Sequence, residues 1–167
     1  MDLKQLEHHA LSDDDIRSMV PSQVLTYPQL HQVRLKDLLK TGSAVILFLT
    51  QSKHQGHWFG LIDHPTYIEV FCSFGTRPDG WFAWLPPAKA LKLNGDPVLG
   101  AMLHEQSKPV LCNTHAFQAR NLSDCGRHTV CRILYKDLSL DDYLHMIQTS
   151  GMSADDFVTA TTAATLK

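Results

Sequence analysis

The sequence predicts an α+β domain in which a mixed β-sheet packs on a central helix that begins at Cys125. Three observations predict it. Residues 44–50, AVILFLT, form an apolar run rich in β-branched and aromatic side chains, and two further strand-like runs follow at short intervals. Residues 125–136 place Val130, Ile133 and Leu134 at helical spacing. Helical patterns with recognisable N-caps lie on either side of the strand-rich middle. The 167 residues suit one domain, 1–167, with a sizeable core, and neither repeats nor a linker divides it.

Ser12 precedes three aspartates, an N-cap followed by acids in the first turn, and the helix it starts stops at Pro21. A short helical stretch over 35–40 ends at Gly42. The strand over 44–50 leads through a polar connection, 51–56, to a second strand over 57–62. Asp63-His64-Pro65-Thr66 is a turn signal, and a third strand covers 67–71. This spacing predicts an antiparallel meander. Residues 75–109 read as irregular, with GTRPDG, LPP and NGDP as loop chemistry. Trp81, Phe82 and Trp84 in this region need burial, either as a small satellite core or as the aromatic wall of a substrate groove. A fourth strand is expected over 109–113 and a fifth over 115–119. After the polar turn 121–126 comes the central helix. Two more helices follow, N-capped by Ser139 and Ser153, before a weakly structured tail.

The composition, 44% hydrophobic and 19% charged, is that of an ordinary globular protein. A formal net charge of −2 and the lack of any basic run give no reason to expect a nucleic-acid partner. The polar first ten residues contain no apolar signal core, and no stretch is long and apolar enough for a membrane span. A soluble intracellular protein without membrane contacts is therefore expected. Cys72, Cys112, Cys125 and Cys131 form no CxxC pair and read as free thiols; Cys112 and Cys131 read as core. Ten histidines raise the question of zinc, yet no pair has zinc-finger spacing and no HExxH occurs, so no metal is expected.

Chemistry concentrates in three segments: Gly56-His57-Trp58, Gln118, and Asp124-Cys125-Gly126. A thiolate is a far better nucleophile than a thiol, and forming one takes a base, a positive field, or both. A cysteine in the first turn of a helix lies at the positive end of the helix dipole. His57 on a neighbouring strand supplies a base. Gln118, seven residues before Cys125, supplies a side-chain N–H for an oxyanion, and the Cys125 N–H a second donor.

GHWFGLI, then FCSFG, then a glutamine seven residues before DCG at a helix start resemble the adenovirus-protease and ubiquitin-like-protein-protease superfamily. The short chain and the FxSFGxxPD stretch also resemble the small cysteine proteases of large DNA viruses and virophages. The resemblance covers roughly residues 44–135. It implies a papain-like, adenovirus-protease-like fold, with Cys125 as nucleophile, His57 as base and Gln118 in the oxyanion hole. Trp58, Asp124 and Gly126 are assigned to the substrate-facing walls. It implies endopeptidase activity after glycine-type sites on polypeptide substrates, which for a viral member are capsid or core precursors cleaved during virion maturation, in the virion or the host cytoplasm. No cofactor is expected; the DNA and peptide cofactors of adenovirus enzymes are not carried over to this mildly acidic chain.

One position departs from the pattern. Where the family has Asp or Glu after the third strand, this chain has Cys72. A thiol neither charges nor orients an imidazole as a carboxylate does. Three readings are open: a Cys–His dyad in which the helix dipole and oxyanion hole carry most of the load and Cys72 merely occupies the third position, a substitute acid (Asp63, Asp79 or Asp124), or an inactive binding module that keeps the fold. A deubiquitinase-like isopeptidase is the alternative active enzyme.

Overall fold

A computed structural model of the protein describes residues 2–165. Five strands form one mixed sheet in the order of the chain: β1 (Gln23–Thr26), β2 (Ser43–Ser52), β3 (Gln55–Asp63), β4 (Ile68–Phe71) and β5 (Val110–Cys112). β2, β3 and β4 pair antiparallel as the expected meander, and β1 and β5 add parallel at the two edges. The helices are α1 (Leu3–Glu7), α2 (Asp13–Met19), α3 (Leu35–Leu38), α4 (Pro87–Asn94), α5 (Leu99–His104), α6 (Cys125–Leu134), α7 (Leu140–Thr149) and α8 (Ala154–Ala163). No helix among the described residues is long and apolar enough to cross a membrane.

The first seven residues of β2 are all buried, because both faces of the sheet are covered. Side chains alternate between the faces along each strand. Val45, Leu47 and Leu49 join Trp58 and Ile62 beneath α6, with Val130 and Ile133 of that helix. Ala44, Ile46 and Phe48 face the other way, onto Phe59, Leu61, Tyr27, Trp81 and Leu99. His57 and Cys72 follow the parity of this second face, and Trp58 that of the first.

α6 carries the architecture. Nine of its residues, Cys125 to Ile133, are buried. It approaches β3 closely: a Cβ at Gly60 would sit 2.9 Å from Thr129 Cγ2, and one at Gly126 3.1 Å from Trp58 Cδ1. Arg132 enters the interior with its guanidinium fork on Glu69 of β4, Nε to Oε2 at 2.8 Å and Nη2 to Oε1 at 2.8 Å. His64 lies 2.9 Å from the same carboxylate.

The segment read as irregular is largely structured. α4 has Pro87 at its first position and Gly95, with φ 73°, at its end, the usual punctuation of a short helix. Trp81 is fully buried and stacks on Phe59 at 4.0 Å, and Phe82 packs edge-on against Tyr27 and Phe48, so both belong to the main core. The strand expected over 115–119 does not form. There the N–H groups of Phe117 and Gln118 both donate to Ser73 O, at 2.7 and 3.1 Å, and the segment folds as a loop against the end of β4. The edge strand β1, which the sequence did not announce, takes the fifth place in the sheet.

Removing one partner of a buried ion pair leaves an uncompensated charge inside the protein. Glu69→Ala is expected to cost about 3–5 kcal/mol in urea unfolding. Glu69→Leu combined with Arg132→Met is expected to recover most of that loss, because the double change removes both charges together.

Candidate active site

Three separate elements bring polar groups to one cleft of about 570 Å³, lined among others by His57, Trp58, Phe74, Trp84, Gln118 and Cys125. β3 supplies His57 and Trp58, the loop after β5 supplies Gln118, and the first residue of α6 is Cys125. The Cys125 thiol accepts from the backbone N–H of Trp58 at 3.4 Å, so it lies against the peptide joining His57 to Trp58. Among the described residues no hydrogen bond joins the His57 ring to the Cys125 sulfur.

The His57 ring is held on three sides. Nε2 is 3.3 Å from Cys72 Sγ. One face stacks on Phe74 at 5.2 Å, and Trp84 meets the ring edge-on at 5.2 Å. Trp84 is 42% exposed, unlike Trp81 and Phe82, so the aromatic triplet divides: two residues serve the core and the third walls the cleft. Cys72 is itself fixed by Asn113, whose side chain accepts from Cys72 N–H at 2.9 Å and donates to Cys72 O at 2.7 Å. Gln118 is buried, with Oε1 accepting from Ser73 Oγ at 2.6 Å and Nε2 donating to Leu122 O at 2.8 Å.

The other assigned residues stand elsewhere. Asp63 closes the far end of β3, six residues or roughly 20 Å from His57, and pairs with Lys108 at 2.8 Å. It is out of reach as a third member. Asp79 accepts from Tyr27 O–H and from Gly100 N–H, a structural bridge. Asp124 and Gly126 are not among the residues that line the cleft. Asp124 is fully buried beneath the helix start, 3.6 Å from His128, and Gly126 is small because Trp58 and Leu11 press on it. Trp58 lines the cleft but directs its indole N–H to Leu11 O at 3.2 Å.

Sequence reasoning missed Ser73, Asn113 and the His128–Asp155 contact at 2.8 Å. Each forms between segments far apart in the chain, where no local pattern marks it.

No family model matches the chain. It is 30% identical over 149 residues to "Uncharacterized protein V9" of Sputnik virophage, an alignment covering 85% of each. This chain belongs to the V9 family. That kinship places it beside a virophage protein and leaves the chemistry to be argued from the cleft.

Burial sets the resting charge of the V9-family site. It pushes the Cys125 thiol up to about 11, against the pull of the Trp58 and Gly126 N–H groups. It also pushes His57 down to about 3, with the charge on His128 adding to the effect. Both displacements favour neutral thiol and neutral imidazole across the ordinary pH range. Iodoacetamide alkylation of Cys125, followed by mass spectrometry, is therefore expected to be slow at about pH 7 and to rise steadily toward about pH 10. A plateau in the neutral range would mean that thiolate and imidazolium form in advance.

Proposed function

We propose that the protein is a cysteine protease of papain-like arrangement, with Cys125 as nucleophile and His57 as general base. The observation that carries the reading is the convergence of Cys125, His57 and Gln118 on one cleft from three separate elements.

With Nε2 directed at the Cys72 sulfur, the neutral ring carries its proton there and leaves the Nδ1 lone pair for the nucleophile. Because the resting pair is neutral, proton transfer accompanies attack. Nδ1 takes the Cys125 proton as Sγ bonds the scissile carbonyl carbon and the carbonyl π-bond electrons move to oxygen. The Cys125 N–H and the second N–H of the Gln118 amide stabilise the oxyanion. Collapse breaks the C–N bond, His57 returns the proton to the leaving amine, and a thioester remains. Water, deprotonated by His57, then hydrolyses it to the carboxylic acid and frees the thiol. Trp58 and Trp84 flank the cleft, which favours a substrate with small residues such as glycine at the scissile bond. Kinship with a virophage protein supports viral precursor polypeptides as substrates, cleaved during virion maturation.

A second reading, an inactive binding module with the same fold, draws on the missing hydrogen bond between His57 and Cys125 and on Cys72 in place of an acid. A glycine-ended peptide vinyl sulfone separates the two. The enzyme labels at Cys125, and Cys125→Ala abolishes labelling. Labelling lost only in Cys72→Ala, or none in the wild type, would overturn the assignment. For a peptide substrate cleaved by the wild type, His57→Ala is expected to lower kcat by about 10³-fold or more. Cys72→Ala removes one hydrogen bond worth about 1 kcal/mol and is expected to lower kcat roughly fivefold with KM little changed.

A further inference from the structure

A polar cluster lies one helical turn below the nucleophile, outside the groups used so far. His128 Nε2 is 2.8 Å from Asp155 Oδ1 of α8 and 3.6 Å from Asp124 Oδ2 at the start of its own helix. The Asp155 carboxylate also accepts from the backbone N–H of Ala119, at 3.3 and 3.2 Å through its two oxygens. Ala119 directly follows Gln118, and Asp124 directly precedes Cys125. The cluster thus spans from the glutamine loop, through α8, to the helix that begins with the nucleophile. Loop 115–119 makes no strand; Ser73 O, Asn113 Nδ2 on His115 O and the Leu122 N–H on Ala119 O also hold its backbone. Asp155 ties the Ala119 N–H at its far end to α8 and, through His128, to α6.

We propose that His128 and Asp155 are positioning residues, which hold the Gln118 amide at a fixed distance from the Cys125 sulfur. The proposal rests on the protease reading and adds to it a second hold on Gln118, through its neighbour's backbone, beyond the Ser73 and Leu122 contacts of its own amide. A displacement of about an ångström between donor and reacting atom is enough to cost orders of magnitude in rate, so a clamp at this point is felt in kcat rather than in substrate affinity.

The electrostatics supports the geometry. Burial alone would lower His128, but the nearby Asp124 carboxylate and the hydrogen bond to Asp155 raise it above its ordinary value. Burial alone would raise Asp155, but the His128 contact holds it below its ordinary value. The titratable groups facing His128 are Asp124 on its own helix, Asp155 from α8 and the neutral His57 from β3; Asp15 of α2 acts on the neighbouring Arg127 instead. The clamp is therefore charged from below the usual aspartate range to above the usual histidine range. It loosens as pH rises through the raised value of His128.

The test is steady-state cleavage of a peptide substrate by His128→Gln, Asp155→Ala and Asp155→Asn, with probe labelling of Cys125 alongside. His128→Gln and Asp155→Ala are expected to lower kcat about tenfold with KM within twofold, and to remove the alkaline limb of the kcat profile that His128 imposes on the wild type. Asp155→Asn keeps an oxygen for the Ala119 N–H and is expected to retain more of kcat at neutral pH than Asp155→Ala while losing the same limb. If Asp155→Ala does not fold, His128→Gln and Asp155→Asn carry the test. Unchanged kcat and pH profile in a folded His128→Gln, or equal losses in both Asp155 variants, overturn the clamp. A wild type that neither cleaves nor labels overturns the protease reading itself, so the two failures are told apart.

Discussion

Burying a helix that carries ionisable side chains obliges its neighbours to supply partners. α6 has Arg127, His128 and Arg132 fully buried, and a charge or polar group left alone in the interior costs several kcal/mol. His128 meets Asp155 on α8 and Arg132 meets Glu69 on β4, while Arg127 reaches only the Thr162 hydroxyl of α8 through one nitrogen, its Nε and Nη2 left without a partner. Gly60 and Gly126 let the helix come close enough to β3 for these partners to reach. These contacts tie α8 and β4 to the helix. The cleft opens where the first residue of α6 meets β3.

The same burial controls the chemistry available at that point. A thiol and an imidazole both removed from water lose the stabilisation that an ion pair would need, and both move toward neutrality. The N–H groups of Trp58 and Gly126 oppose this at the sulfur but do not reverse it. On the protease reading proposed above, such a site trades a permanently activated nucleophile for one that is activated as the carbonyl carbon approaches, when Sγ loses its proton and gains a bond in the same step.

The parts of the fold that were legible in the sequence are those with local signatures. The meander of β2, β3 and β4 followed from apolar runs separated by turn residues. α2, α7 and α8 followed from Ser12, Ser139 and Ser153, each of whose side chains accepts from the N–H three residues on. The cleft residues His57, Gln118 and Cys125 followed from spacing and from the resemblance it carried. The failures were non-local. β1 is four residues of mixed burial whose partner strand begins twenty positions further on, and a run that short has no periodicity to read. Loop 115–119 has strand-like residues, but Ser73 O captures two of its N–H groups. Gly126 looks like room beside a nucleophile until Trp58 and Leu11 are placed against it.

Cys72 illustrates how a departure from a pattern can agree with its surroundings. A carboxylate at that position would lie in a dry interior against Phe74 and the His57 ring, and its charge would raise the imidazole toward protonation. A protonated His57 would have no lone pair to take the Cys125 proton unless the thiol had already ionised, and burial resists that ionisation. A thiol carries no such charge. Its sulfur lies 3.3 Å from Nε2, and by accepting the Nε2 proton, as the proposed mechanism has it, it would keep the ring in the tautomer that leaves Nδ1 free. Asn113 grips the Cys72 backbone from both sides, which fixes the point from which the sulfur reaches the His57 ring. What is lost is the charge that would stabilise the imidazolium once it forms. On the proposed protease reading that loss falls on the transition state alone, and it makes the other donors of the cleft, and whatever fixes them in place, correspondingly more important to the rate.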